Sequence, residues 1–387
     1  MLRLTYAASA MSLRAAATDP VKRHLLLTGF MSFILIGAQQ AMYGPAFPAL
    51  RESFGLGAGQ VGLMVSAHFT GAIIGIIGGG LAMPRFGFRR SLALSAVLLL
   101  LGALAVAIAP LWSLALIGAL AIGLGFGGIS IGMNVLVGLG FGARGAAALN
   151  LLNALYGLGA VLGPLLIALT LPNYRLPFLL SAVAAALLLV LLAKLAEPEA
   201  PSTSPDTSVS ALWPLLGFVL LYFLYVGGEV GTGTWSTTHL ANSLGPAGAA
   251  SVTALFWGAL TVGRLLAVPI SIRFSAPRVV IIAAMLGSAA LALTHATPLA
   301  PLGYGLAGLF LAPIFPTGLA WLQQVYRAKA AQVSSIVIAS ANFGGVLIPP
   351  LIGLAIEATS TAIIPSLLTL STLACLGVAL IIWRGRG

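Results

Sequence analysis

The chain contains twelve long apolar segments, and this series constrains its fold more than any other feature. Each segment is near the ~20 residues that an α-helix needs to cross the hydrocarbon core of a bilayer. Only 6% of the 387 residues are charged, against about 25% in soluble proteins. The sequence therefore predicts an all-α integral membrane protein with twelve transmembrane helices. The expected spans are 25–47, 61–83, 91–109, 113–139, 146–171, 176–195, 213–236, 248–271, 278–295, 301–325, 331–356 and 362–383.

The positions of the basic residues predict the orientation of these spans. If both termini are cytoplasmic, nearly all of the 18 Lys and Arg residues fall in cytoplasmic loops or tails. Only Arg51 and Arg175 fall on the other side, and Arg264 lies within the eighth span. Cytoplasmic loops of membrane proteins carry such an excess of Lys and Arg. We expect a bacterial cytoplasmic (inner) membrane protein in the lipid bilayer, and its net charge of +11 needs no nucleic-acid partner.

A polar stretch at 196–212 divides the chain in two. It is rich in Pro, Ser and Thr and cannot build a packed core, so we expect a cytoplasmic linker there. The predicted domains are a first six-helix bundle at 25–195 and a second at 213–383. Tails at 1–24 and 384–387 complete the chain, and the first residues lack the long apolar core of a signal peptide.

The two halves carry weak internal repeats. The loop Arg85–Arg90 after the second span matches Arg273–Arg278 after the eighth. The stretch Leu158–Leu166 in the fifth span matches Phe343–Leu351 in the eleventh. Parallel six-helix repeats place a substrate between the halves, near the bilayer midplane.

Glu229 is the acidic residue that falls within a predicted span. Intramembrane carboxylates are costly and usually functional, and the glycines around Glu229 weaken the helix, as in the interrupted helices of transporter sites. We expect Glu229 to bind a substrate or a coupling ion; a structural hydrogen bond to a neighbouring helix is the alternative. Depths counted from the ends of the spans separate Glu229 from Arg264, which predicts no direct ion pair. Arg264 would then extend toward the cytoplasm or bind carbonyl groups of an inner gate.

Four amides in the spans are candidates for binding a polar substrate. Side chains of this kind usually face the interior of a transporter bundle, where they could exchange hydrogen bonds with hydroxyl groups. They could equally hold neighbouring helices together. The candidates are Gln39, Gln40, Asn134 and Asn153.

Two tryptophans and a histidine complete the candidates. Trp257 and Trp321 lie deep in their spans and could stack on the C–H face of a sugar ring, although ordinary packing is the alternative. His68 could carry a coupling proton, although a lone histidine more often has a structural role. No arrangement of residues predicts a metal site, a catalytic site or a phosphate-binding loop.

Several of these motifs resemble the major facilitator superfamily over nearly the whole chain. The loop Gly80–Arg90 is similar to the family's motif between helices two and three, except that Pro84 replaces the usual acidic residue. This resemblance implies a gating role for Arg85 and Arg89, with Arg264 as a third candidate at the gate. Short motifs also resemble the branch of fucose–proton symporters: Tyr225–Glu229, Phe256–Arg264, Ala312–Pro316 and Gly344–Pro349.

The resemblance implies a secondary active transporter rather than an enzyme. We expect a monomer that moves a small polar solute, most simply a sugar, by alternating access. No cofactor is expected beyond a coupling proton or sodium ion, bound through Glu229 or, for a proton, His68. The acidic residues of fucose symporters in helices one and four are absent here. The alternatives are a drug or lipophile exporter of the same fold and a transport-inactive membrane sensor.

Overall fold

The computed structural model describes residues 19–141, 145–196, 212–326 and 329–385. Most of the predicted linker and most of the N-terminal tail lie outside these ranges. The described residues form thirteen α-helices and two short 3₁₀ turns. The helices are α1 (Pro20–Ala41), α2 (Tyr43–Phe54), α3 (Ala58–Phe86), α4 (Phe88–Ile108), α5 (Trp112–Phe141), α6 (Gly145–Thr170), α7 (Arg175–Ala193), α8 (Leu212–Arg273), α9 (Ala276–Leu293), α10 (Ala300–Leu311), α11 (Ile314–Tyr326), α12 (Ala330–Ala358) and α13 (Ile364–Arg384).

These helices make twelve membrane spans in the described part of the chain. Eleven helical stretches are long and apolar enough to cross a bilayer, and one of them, α8, is a hairpin of two spans. Its corner is Gly245, whose φ of 70° is a left-handed conformation that glycine adopts without steric cost. Pro246 follows and can begin the second arm because it needs no hydrogen-bonded N–H there. The predicted all-α fold with twelve spans is therefore confirmed.

Proline interrupts the first and the tenth span. Pro45 has no N–H to donate to Ala41, and α1 gives way to α2 at Met42. Pro313 and Pro316 have the same effect between α10 and α11. Each interruption divides its span into two shorter helices.

Small residues let the helices of each half approach closely. Alanine side chains at Gly71 or Gly75 would collide with the backbone of α5 around Leu124, and one at Gly308 would collide with the backbone of α8. Close backbone packing of this kind drives helix association in lipid, where burial of apolar surface supplies little. The halves are built from α1–α7 and from α8–α13.

The two halves meet on one side of the molecule. We call the face with Gly57, Gly245 and Thr359 the corner face, and the opposite face, where residues 19, 196, 212 and 385 lie, the terminal face. The described cross-half contacts lie toward the corner face, where α2 meets the first arm of α8, α3 meets α12, and α6 meets the second arm. Toward the terminal face, residues 268–275 and Asn153 are exposed. The corner face is thus closed by contacts between the halves, and the exposure of these residues favours an opening toward the terminal face.

Glu357 closes the corner face with an unusual helix cap. Gly57 stands at the N-cap of α3 and has no side chain to bind the free N–H groups of the first turn. Glu357, from the other half, supplies the acceptor: its Oε1 accepts a hydrogen bond from the Gly59 N–H at 2.9 Å. A carboxylate at the positive end of a helix stabilises it by about 0.3–1 kcal/mol. This contribution exists only while the halves touch.

Candidate functional site

Glu229 lies at the centre of a polar cluster near the middle of the two arms of α8. Its Oε1 is 3.4 Å from Nη2 of Arg264, and its Oε2 accepts a hydrogen bond from the hydroxyl of Tyr225, one helical turn away. Arg264 also lies within hydrogen-bonding reach of Tyr225. The Glu229 side chain is 12% exposed and that of Arg264 is 28% exposed. The second half therefore presents a charge-balanced pair that remains partly accessible.

The first half faces this pair with a tyrosine and an amide. Tyr156 on α6 interacts electrostatically with both Glu229 and Arg264. Its hydroxyl donates a 2.8 Å hydrogen bond to Oε1 of Gln40 on α1. Next to this tyrosine, the halves touch where Gly157 packs against Thr261. The cluster thus joins the two halves directly below the closed corner side.

The ion pair corrects an expectation from the sequence. We predicted no direct ion pair between Glu229 and Arg264, and this prediction was wrong. The seventh span was expected to end at residue 236, but the first arm continues to Gly245. Glu229 lies sixteen residues before this corner and Arg264 nineteen after it, so their backbones differ in depth by about 4.5 Å. The long arginine side chain covers this difference.

Trp257 lies at the seam between the halves, one turn from Thr261. It is 4% exposed, and its ring packs against Gly233, with Phe256 beside it at a centroid distance of 5.2 Å. Ala41 and Ala160 of the first half pack in the same cluster. The indole N–H has no hydrogen-bond partner among the described residues. A buried N–H without a partner is costly, which makes Trp257 a candidate donor to a ligand.

The four candidate amides occupy different environments. Gln39 is fully buried in the first half, where its Nε2 is 3.3 Å from Ser181 Oγ, and it does not face the cluster. Gln40 binds Tyr156 and belongs to the cluster. Asn134 and Asn153 each donate a hydrogen bond to a carbonyl of their own helix. Asn153 is exposed three residues before Tyr156, on the path toward the terminal face.

Trp321 and His68 lie inside the separate halves. Trp321 is 1% exposed and packs edge-on against Phe218 in the second half, at 5.2 Å between ring centroids. His68 is fully buried in the first half, and its Nδ1 is 3.2 Å from the hydroxyl of Tyr43. Three aromatic rings surround it. Neither side chain is brought to Glu229, and their predicted roles stay predictions.

The gating candidates are separated by the structure. Arg85 and Arg89 are exposed at the terminal face, and neither makes an ion pair within the described ranges. Arg264 belongs to the central cluster instead of an inner gate. Eight other described basic residues outside the membrane also lie at the terminal face, whereas Arg51 and Arg175 lie toward the corner face.

Three contacts at or near the candidate site were not predicted from the sequence. Tyr225 precedes Glu229 by four residues, a spacing that places both side chains on one face of a helix, and this signal was available. The hydrogen bond between Tyr156 and Gln40 joins residues that are 116 positions apart in the chain. Sequence spacing therefore could not predict this contact. Glu357 lies just beyond the predicted eleventh span, so its contact with Gly59 could not be inferred from a span-by-span reading.

Comparison with known proteins yields one family. Residues 29–217 match the model of the Major Facilitator Superfamily. The chain is 24% identical over 385 residues to the glucose/mannose transporter GlcP of Bacillus subtilis (strain 168), covering 94% of this chain and 96% of that protein. It is 24% identical over 377 residues to sodium-dependent glucose transporter 1A of Mus musculus, covering 84% and 88% respectively.

Solved structures show the same fold. A variant of the nucleoside transporter NupG matches with a TM-score of 0.81 at 14% identity, covering 94% of this chain and 99% of that chain. The D-xylose–proton symporter matches with a TM-score of 0.79 at 16% identity, covering 94% and 98%. FucP in the outward conformation matches with a TM-score of 0.64 at 20% identity, covering 94% and 98%. The Major Facilitator Superfamily model therefore matches the first half of the chain, and the whole chain, with its twelve spans in two halves, shares the fold of these solved transporters.

Proposed function

We propose that this protein transports a neutral hexose-type sugar across the membrane by alternating access between its two halves. The observation that carries the proposal is the central cluster: Tyr156 and Gln40 from one half face Glu229 and Arg264 from the other. These groups offer both donors and acceptors of hydrogen bonds, as a polyhydroxylated ligand requires. The two full-length relatives are named as glucose transporters, which supports the same substrate class.

The position of the cluster supports alternating access. It lies between the halves, below the corner side where they touch, and its charged side chains are partly exposed, so a ligand there would contact both halves at once. Rocking of one half against the other would open the corner face and close the terminal face around the same site. We propose that Trp257 joins the ligand contacts, because its free indole N–H lies at the seam.

The terminal face is cytoplasmic in this proposal, since it carries most of the basic residues. The membrane would be a bacterial inner membrane, with 25–195 and 213–383 as the two bundles and 196–212 as a cytoplasmic linker. Both halves of the site come from one chain, so a monomer suffices.

Uptake into proteoliposomes tests the substrate class. We expect the purified protein to exchange radiolabelled D-glucose or D-mannose at a rate at least tenfold above empty liposomes, because the cluster offers paired hydrogen bonds to hydroxyl groups. A hydrophobic dye loaded into parallel vesicles tests the exporter alternative. Dye efflux without any sugar exchange would contradict the proposed substrate and favour a lipophile exporter.

Glu229 is our proposed coupling residue, with Arg264 as its switch. When the site is open to the terminal face, the ionised carboxylate pairs with the guanidinium. A proton gained by Glu229 from the corner face would weaken this pair and release Arg264. Protonation of Glu229 would therefore be linked to the face toward which the site is open. Sodium could act at the same carboxylate, and a sodium gradient serves as the parallel experiment.

The Glu229→Gln variant tests this coupling. Glutamine keeps the shape of the side chain but cannot gain or lose a proton. We therefore expect exchange of D-glucose to persist, whereas accumulation driven by a pH gradient should fall at least tenfold. Glu52→Gln, which removes an exposed carboxylate in α2, is the matched control. If the wild type and Glu229→Gln accumulate sugar equally under the same pH gradient, the coupling proposal is wrong.

A further inference from the structure

We infer that the Glu229–Arg264 pair determines substrate charge: the intact pair selects uncharged sugars and excludes sugar acids and amino sugars. This inference rests on the proposed sugar transport and deepens it. It concerns which chemical class the central cluster accepts, and it assigns that choice to two residues whose charges cancel.

The charge balance of the cluster is the first observation. Glu229 and Arg264 form the only ion pair within the described ranges. The other members of the cluster are Tyr225 and Tyr156, which interact with the pair, and Gln40, which binds Tyr156; they carry hydroxyl or amide groups. The side chains that face a ligand therefore sum to zero charge while the pair is ionised, and a neutral ligand disturbs this balance least.

The geometry of the pair is the second observation. A single guanidinium nitrogen approaches a single carboxylate oxygen at 3.4 Å, instead of the shorter two-point contact that arginine and carboxylate can form. The guanidinium has five N–H donors, and Arg264 is 28% exposed. Both charged groups can therefore bind a ligand hydroxyl without leaving each other.

A charged ligand meets a penalty at this pair. The carboxylate of a sugar acid would be attracted to Arg264 but would lie beside the carboxylate of Glu229, and like charges in a partly desolvated site repel strongly. An amino sugar meets the same problem at Arg264. Discrimination of this kind works by repulsion of the wrong ligand as well as attraction of the right one. Removing one charge of the pair should therefore reverse the preference in a predictable direction.

Competition by three sugars measures the effect. Exchange of radiolabelled D-glucose is inhibited with unlabelled D-glucose, D-glucuronate or D-glucosamine, the last at a pH that keeps its ammonium group protonated. For the wild type we expect D-glucose to inhibit best. In Glu229→Gln, which leaves Arg264 unpaired, we expect the inhibition constant of D-glucuronate to improve at least tenfold relative to that of D-glucose. In Arg264→Gln, where exchange is expected to be slow, thermal stabilisation of the purified variant gives the readout, and stabilisation by D-glucosamine should increase relative to that by D-glucose.

The double variant Glu229→Gln/Arg264→Gln separates charge from shape. It removes both charges, so it should prefer neither D-glucuronate nor D-glucosamine. If the two residues act only through their shape, the double variant should show the same preferences as the single variants. Thermal stabilisation of each purified variant by the same three sugars gives a second readout that needs no transport. Glu52→Gln and Arg278→Gln, at exposed positions, should behave like the wild type.

The outcomes distinguish the inference from the proposed function. If the wild type binds and exchanges D-glucose but neither single variant changes its preference for charged sugars, the charge-selection inference is wrong and the sugar proposal stands. If the wild type neither binds nor exchanges any of the three sugars while Glu229→Gln is stabilised by D-glucuronate, the sugar proposal fails and charge selection at the pair holds. Absence of both responses overturns both.

Discussion

Replacing Gly353 with alanine is expected to slow transport at least tenfold while leaving each half of the protein folded. An alanine Cβ at this position would lie 2.5 Å from the carbonyl oxygen of Ala58 and 2.9 Å from Cα of Gly59. Both atoms belong to the backbone of α3, in the other half, so they cannot move aside without separating the halves. The closed corner face would be lost, and with it the state that is open to the terminal face. We expect the rate of D-glucose exchange to fall at least tenfold.

Gly377→Ala provides a matched control for this variant. Gly377 lies in α13 and has no heavy atom within 4 Å of the added Cβ, so this variant shares the change in helix propensity without the clash. Opening of the corner face is measured by adding Ser66→Cys, since the Ser66 hydroxyl bonds to Val346 across the seam at 2.6 Å. An impermeant thiol reagent should label it faster in Gly353→Ala. The native Cys375 is buried. Unchanged labelling and unchanged exchange would show that the seam tolerates the methyl group.

The Arg264→Gln variant is expected to lose most transport activity. It leaves the carboxylate of Glu229 without its counter-charge in a site that is largely removed from water. Breaking one side of a buried ion pair costs about 3–5 kcal/mol, and partial exposure of Arg264 reduces this figure. We therefore expect the exchange rate of D-glucose to fall by roughly 100-fold, which corresponds to about 2.8 kcal/mol.

The companion variants identify the cause of that loss. Arg264→Lys keeps the charge but has a shorter reach and lacks the planar fork of donors, so we expect an intermediate rate. The double variant with Glu229→Gln removes the unpaired charge and should recover at least tenfold over Arg264→Gln. Arg278→Gln serves as the exposed control. A double variant as inactive as the single one would indicate that Arg264 acts without reference to Glu229.

The number and order of spans could be predicted from the sequence because lipid imposes a length and an apolar composition on each helix. The end of the seventh span could not. Its residues 236–239 are polar, so the predicted span ended at residue 236, but Ser236 to Thr238 are buried and His239 is half-buried. Ser236 and Thr237 each bond to Thr253 at 2.7 Å, and His239 bonds to Tyr304 at 2.8 Å. These mutual hydrogen bonds let a polar stretch continue the helix, and they were invisible in a linear reading.

The candidate site was predictable only in part. Glu229 was recognisable because a carboxylate within a span needs a reason to be there. The sequence could not show which of Gln39 and Gln40 faces the cluster. Adjacent residues in a helix point about 100° apart, and both side chains are polar amides. The structure turns Gln39 into the first half and Gln40 toward Tyr156. Periodicity identifies the faces of a helix, but the neighbours of those faces depend on how the halves pack.

The cap that Glu357 places on α3 makes the closed corner face sensitive to the ions in the solution outside the membrane. The carboxylate is exposed, and its attraction to the helix terminus is an electrostatic interaction that dissolved ions weaken, over a Debye length of about 8 Å at physiological ionic strength. The closed corner face therefore gains stability in dilute media and loses part of it in concentrated salt. The resting balance between the two orientations of the carrier is thus linked to the ionic strength on that side.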